Sequence, residues 1–244
     1  MNKLTQNIHI PCYFTDGAWR LKPASFMNLA QEAATQHATI LGFGYDELIE
    51  SNTAWIISRM HIEFVDTPKW REHMTLQTWH KGLERLFFLR DFIMTDQEGR
   101  VRVKATSSWL VLNLDTRRLV RDPNLVDEGK TCAENVIEKP ADKVVFPKDA
   151  ETVKVMEHVV AYSDLDMNGH TNNAMYMHWA MDAVDYDTTS SRPIREFTIN
   201  FNREARPGER VEIYRVVQDT EDGLHVWVEG KVDGASSFCI KMLF

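Results

Sequence analysis

The chain has 244 residues, 28 basic and 36 acidic side chains for a formal net charge of −8, and a hydrophobic fraction of 43%. That is enough for one large domain or two of about 120 residues each, and the acidic balance argues against a nucleic-acid surface, which needs a basic excess. No apolar run reaches the roughly 18 residues of a membrane span, and no apolar core of a secretory leader follows Met1. Cys12, Cys132 and Cys239 are few, odd in number and widely spaced. They point to a reducing compartment and away from a disulfide framework or a zinc site. The expectation is a cytoplasmic protein with no membrane and no nucleic acid among its partners.

In chain order, Ile8 to Phe14 reads as a strand and Phe26 to about Leu41 as a helix. Phe26, Leu29, Ala30 and Ala33 fall at the spacing of one buried helical face. Four runs with strand character follow: Trp55 to Phe64, Met74 to Trp79, Leu86 to Met94 and Val101 to Leu112. The first of these alternates, which places Ile56, Met60, Ile62 and Phe64 on one face. Residues 126–149 have weak periodicity and several charges and read as a linker between a first domain, 1–125, and a second, 150–244.

The second half then repeats the first. Val153 to Tyr162 reads as a strand and Met175 to about Val184 as a helix. Strands follow over Ile194 to Phe201, Val211 to Val217, Leu224 to Val232 and Ser236 to Leu243. The two helices align in register at an offset of 150 residues (176 − 26): Phe26-Met-Asn-Leu-Ala with Tyr176-Met-His-Trp-Ala. Pro68-Lys-Trp-Arg-Glu72 and Arg206-Pro-Gly-Glu209 occupy matching places before the second strand of each sheet. An internal repeat of this kind decides the architecture. The fold class is α+β, with each half a long central helix wrapped by a curved antiparallel sheet.

The segment with most chemistry is Asp164-Leu-Asp166-Met-Asn168-Gly-His170-Thr-Asn172-Asn173, which leads directly into the second helix. Polar side chains at a helix entrance sit beside unpaired N–H groups and the positive end of the helix dipole, a place suited to polarising a carbonyl. Asn168 is an amide donor, and His170 can transfer protons or orient Asn168. Asp166, four residues before His170, is expected to fix its tautomer and stabilise its charged form. Exposed N–H groups near Asn172 and Asn173 are further oxyanion donors in this reading. Asp164, Asn172 and Asn173 read as turn and cap residues, and His37 as a packed histidine. The first half has Asp16-Gly-Ala-Trp-Arg20 at the equivalent entrance and keeps no Asn or His there.

These residues resemble the acyl-acyl carrier protein (acyl-ACP) thioesterases of plants and bacteria. That family is a tandem (double) hotdog whose second hotdog carries Asp-x-Asn-x-His, then Asn-Asn and a helix. The family's Glu, which follows the next strand in a segment like Arg-Arg-Glu-Cys-Gly, matches Glu204 in Asn202-Arg-Glu-Ala-Arg206. Gln31 to His37, Leu41-Gly42, Thr78-Trp79, Arg90-Asp91-Phe92 and Ser108-Trp109 are similar to family landmarks in the first half. The resemblance implies hydrolysis of fatty acyl-ACP in fatty acid biosynthesis, with Asp166, Asn168, His170 and Glu204 catalytic. It implies an acyl pocket in the first hotdog, and no cofactor and no metal. The partner it implies is acyl carrier protein with a 4'-phosphopantetheine-linked acyl chain, met by a monomeric pseudo-dimer or a homodimer. Ala205 stands where many plant members have Cys, which favours a water activated by Glu204 over a thiol nucleophile. The start shows no plastid transit segment, which fits a bacterial enzyme. The alternatives are an acyl-CoA thioesterase and a non-catalytic acyl-binding hotdog protein. A hydratase is disfavoured because its motif resembles Asp-x-Asn-Pro-x-His. Arg117, Arg118 and Arg121 form the best basic cluster for an acidic carrier protein.

Overall fold

The computed structural model describes residues 2–121, 125–126, 128–147 and 149–244. It separates into two compact units. One comprises residues 1–21 and 28–142, the other residues 22–27 and 143–244.

In the first half of the chain, β1 (Leu4–His9) leads through a 3-10 turn (Cys12–Phe14) to α1 (Pro23–Leu41), of which residues 28–41 belong to the first unit, and a short α2 (Tyr45–Glu50). β2 (Thr53–Phe64), β3 (His73–Glu84), β4 (Phe87–Thr95) and β5 (Val101–Asn113) follow, with a two-residue β6 (Leu119–Val120) on β5. The strands pair antiparallel in the order β1-β3-β4-β5-β2. Pro23 opens α1, where its missing N–H costs nothing. Leu41 closes it through Gly42 at φ +76. Gly42 N donates to the Thr39 carbonyl (3.0 Å) and Phe43 N to the Ala38 carbonyl (3.1 Å), the paired bonds of a glycine-terminated helix end. Phe43 and Ala38 then pack together with Leu48, Phe88 and Val111.

The second unit repeats this plan. β7 (Val153–Val159), a 3-10 turn (Tyr162–Asp164), α3 (Asn173–Asp182) and α4 (Tyr186–Ser191) precede β8 (Glu196–Phe201), β9 (Arg210–Thr220), β10 (Gly223–Val232) and β11 (Ala235–Leu243). The order β8-β11-β10-β9-β7 is the first unit's order with each strand replaced by its counterpart. Backbone bonds repeat as well. Ile10 N donates to the Glu72 carbonyl and Val160 N to the Glu209 carbonyl, both at 3.0 Å. Arg71 N donates to Ile10 and Gly208 N to Val160.

Several sequence expectations change in detail. β1 runs Leu4–His9 rather than Ile8 to Phe14, and β7 ends at Val159 rather than Tyr162; Phe14 and Tyr162 lie in 3-10 turns, because the chain must turn there to enter the helix. In β2 an extra residue between Ile57 and Arg59 bulges out of the ladder with β5. The bulge brings Trp55 and Ile57, not Ile56, into line with Met60, Ile62 and Phe64. The segment read as linker is docked on the first unit as far as Asp142. Cys132 N donates to the His80 carbonyl, Trp79 Nε1 to the Glu134 carbonyl, and Val136 N to Asp91. Asp127 and Lys148 of that segment lie outside the described residues. Weak periodicity hid this docking because the segment is held by backbone hydrogen bonds and by isolated buried side chains such as Val126 and Ala141, not by an apolar stripe.

The first unit carries a buried polar layer. Arg90 Nη1 lies 2.9 Å from His37 Nδ1 and donates to Thr78 Oγ1 (3.2 Å), and Thr78 Oγ1 donates to the Asp91 carbonyl. Beside it His80 sits against Phe43 and Phe88. Burial, and then the Arg90 charge, push the His80 pKa from 6.5 down to about 4. His80 therefore stays neutral when folded at a pH where the unfolded chain takes up a proton. Its contribution is complete above about pH 6.5 and is lost as pH falls toward 4. Urea unfolding should show this group costing about 2 kcal/mol between pH 7.5 and pH 5. His80→Phe should flatten the slope, and an unchanged slope in that variant would rule His80 out as its source.

Candidate active site

The site grows from a turn of two nested loops. Asp166 N donates to the His170 carbonyl (2.8 Å) and Gly169 N to the Asp166 carbonyl (3.0 Å). Gly169 adopts φ +71, which an L side chain rarely takes. Asp166 Oδ1 accepts from Asn168 N (2.8 Å) and His170 N (3.4 Å). The carboxylate thus holds backbone, not the imidazole, and the expectation that Asp166 fixes the histidine tautomer is corrected. The imidazole's carboxylate neighbour is Glu204, with His170 Nδ1 3.3 Å from Glu204 Oε1. Both side chains reach solvent, at 56% and 30% exposure, so water has access to the pair. Asn168 is exposed on the same turn.

The first unit shows why Asp166 has this duty. Asp16 Oδ1 accepts from Ala18 N and Arg20 N, both at 2.9 Å, and Asp16 N donates to the Arg20 carbonyl. The same loop is built there with Ala18 in place of Asn168. Arg20 folds its Nε back onto Asp16 Oδ2, whereas His170 reaches out to Glu204. The aspartate is loop scaffold in both halves. The Asn, the His and the Glu are particular to the second.

The helix entrance behaves as a capped turn. Asn172 Oδ1 accepts from Ala174 N (2.9 Å), which starts α3 two residues before the expected Met175. Asn172 N donates to the Asp164 carbonyl (2.8 Å), so this N–H is not an open oxyanion donor. Asp164 is buried, accepts from Ala161 N (2.7 Å) and lies 2.8 Å from His158 Nε2. Glu204 stands in the loop after β8. The next residue, Ala205, is wholly buried. Its N–H donates to the Tyr176 hydroxyl (3.0 Å) and its carbonyl accepts from Thr171 Oγ1 (2.5 Å). On the other side Ser237 Oγ donates to the Arg203 carbonyl (2.7 Å). Sequence reasoning missed these three hydroxyls. The signal for two of them lies in the repeat, which pairs Phe26 with Tyr176 and Leu21 with Thr171. Cys12 is exposed, Cys132 half-buried and Cys239 buried, and burial raises the Cys239 thiol to about 12. None of the three lies on the turn or the Glu204 loop. Arg117, Arg118 and Arg121 lie exposed around the β5–β6 turn.

A family model for the acyl-ACP thioesterase N-terminal domain matches residues 1–128, and one for the acyl-ACP thioesterase C-terminal domain matches residues 147–244. The chloroplastic oleoyl-acyl carrier protein thioesterase 1 of Arabidopsis thaliana is 29% identical over 201 residues, covering 76% of this chain and 56% of that protein. The oleoyl-acyl carrier protein thioesterase of Coriandrum sativum is 30% identical over 221 residues, covering 80% and 57%. The chain therefore spans a little over half the length of these curated relatives. The crystal structure of an acyl-ACP thioesterase from Bacteroides thetaiotaomicron matches with a TM-score of 0.86 at 26% identity, over 99% of this chain and 97% of that one.

Proposed function

Because this chain belongs to the acyl-ACP thioesterase family, we propose that it hydrolyses the thioester of fatty acyl-ACP, releasing a free fatty acid and holo-ACP. The observation that carries the reading is the His170–Glu204 contact at 3.3 Å beside the Asn168 turn. Water is the nucleophile. Glu204 takes its proton as the oxygen–carbon bond forms. The Asn168 amide donates to the carbonyl oxygen as charge develops on it. The carbon–sulfur bond then breaks, and the proton taken up by Glu204 passes across the 3.3 Å contact to His170 and on to the departing pantetheine thiolate, which returns both groups to their starting state. Asp166 holds the backbone that presents Asn168 and His170. Ala205 has no thiol, so no acyl-cysteine forms at this position.

The acyl chain is assigned to the first unit and the carrier protein to the basic residues Arg117, Arg118 and Arg121. Three cysteines with no disulfide among the described residues support a cytoplasmic setting.

The test is a hydrolysis panel of acyl-ACPs of graded chain length against the matching acyl-CoAs, read as thiol release. The expected result is a higher kcat/KM for acyl-ACP at one or more lengths, weakened by salt as an electrostatic docking step requires. A preference for acyl-CoA would reassign the carrier. No hydrolysis of either series would overturn the enzyme reading.

A further inference from the structure

The backbone on either side of Glu204 is held more tightly than loop closure demands. Arg203 N donates to the Ser237 carbonyl (3.0 Å), and the Arg203 carbonyl accepts from Ser237 Oγ (2.7 Å). Ala205 N donates to Tyr176 (3.0 Å), and the Ala205 carbonyl accepts from Thr171 (2.5 Å). All four flanking backbone groups are thus bonded, three of them to side-chain hydroxyls. Tyr176, Thr171 and Ser237 are each buried. Tyr176 is wedged among Trp179, Phe201 and Phe238 at ring distances of 5.1, 5.9 and 5.2 Å, which fixes its hydroxyl in space.

The first unit closes its corresponding loop differently. There Pro68 stands in the place of Ala205, and its carbonyl accepts from the Leu21 backbone N (2.7 Å). Proline has no N–H, so no acceptor is needed, and the helix position that holds Tyr176 in the second half is Phe26. Leu21 supplies no hydroxyl where Thr171 does. The loop can therefore be closed without these two hydroxyls. They occur in the half that carries Asn168, His170 and Glu204.

We propose that Tyr176 and Thr171 are positioning residues for hydrolysis, gripping the Ala205 peptide from both sides so that the Glu204 carboxylate stays within reach of His170 and the attacking water. The inference rests on the reading of Glu204 as the general base. The grip is short and direct. Thr171 follows His170 in the chain, Ala205 follows Glu204, and the bond between Thr171 and Ala205 ties the two catalytic segments together. Tyr176 lies on the first turns of α3 and ties the same peptide to the helix. Displacing a catalytic carboxylate by about 1 Å can cost up to a hundredfold in rate, so losing either hydroxyl should be felt in kcat.

The test uses the full chain, four single variants and two double variants that combine Thr171→Val or Tyr176→Phe with Glu204→Gln, each checked for folding by circular dichroism and thermal unfolding. Thr171→Val removes the hydroxyl with little change of shape, and Thr171→Ser keeps it. Tyr176→Phe removes the acceptor for Ala205 N and keeps the ring. Glu204→Gln tests the base itself. Thr171→Val and Tyr176→Phe should each lower kcat about tenfold or more with KM nearly unchanged, the mark of an interaction needed only in the transition state. Thr171→Ser should stay within about twofold of the parent, and both losses should vanish in the Glu204→Gln background. Folded Thr171→Val and Tyr176→Phe proteins with parental kcat would overturn the proposal, and so would equal losses with and without Glu204. If Glu204→Gln alone keeps full turnover, the base reading fails first and the grip loses its purpose. If one variant does not fold, the other decides by the same criteria.

Discussion

Glu204→Gln should lower kcat by about a hundredfold or more in folded protein, the scale expected for losing a general base. The substitution keeps the shape of the side chain and removes its ability to accept the water's proton. Asn168→Ala and His170→Ala should each cost a similar factor, the first as a lost oxyanion donor. The three act on one event, so double variants should lose less than the product of the singles. His170 and Glu204 are 3.3 Å apart, close enough that removing either changes the work of the other. Asp166→Ala should behave otherwise. Its carboxylate holds two backbone N–H groups, as Asp16 does in the half without Asn or His. Its loss of activity should come with a lower unfolding temperature, whereas Asn168→Ala should leave that temperature nearly unchanged. Near-parental kcat in folded Glu204→Gln protein would show that the base lies elsewhere.

How much of this was legible in the sequence depends on range. The helices and most strands follow from periodicity, which is a local property. Phe26, Leu29, Ala30 and Ala33 predict the buried face of α1; Phe26, Ala30 and Ala33 are buried and Leu29 is half-buried. The repeat was legible because Tyr176-Met-His-Trp-Ala copies the spacing of Phe26-Met-Asn-Leu-Ala, and the strand order in both units agrees with it. The bulge at β2 was not legible, since alternation through Ser58 looks unbroken until the partner strand is known. The short helices α2 and α4 span six residues each, less than two turns, and periodicity predicts no element there. At the site, Asn168, His170 and Glu204 were named by residue type and resemblance. The partner of His170 was not, because Asp166 is near in sequence while Glu204 arrives by the chain's return through β8. Ser237 was missed for the same reason. Its hydroxyl bonds a loop 34 residues away, and no local pattern marks it.

The first unit holds the largest expected effect on stability. Asp91 is wholly buried on β4, and its side-chain partner Lys81 is 5% exposed. Lys81 Nζ lies 3.1 and 3.2 Å from the two Asp91 oxygens and donates to the Ile137 carbonyl at 2.7 Å. Asp91 Oδ2 also accepts from Val136 N at 2.8 Å. One carboxylate therefore neutralises a buried ammonium and anchors the segment that runs on from the first sheet. Removing one member of a buried pair leaves the other charge without compensation, which costs about 3–5 kcal/mol. Asp91→Asn keeps the shape, keeps an oxygen for Val136 N and deletes only the charge. It should destabilise the protein by that amount in urea unfolding, with Lys81→Met costing a comparable sum. The double variant should cost less than the two added together, because residues in one network couple. Asp91→Asn should also expose the docked segment 132–137 to early proteolysis, since the Lys81 bond to Ile137 is oriented by Asp91. A loss below about 1 kcal/mol, the range of exposed pairs, would mean that the pair is solvated in the working protein and that the backbone bonds alone hold the segment.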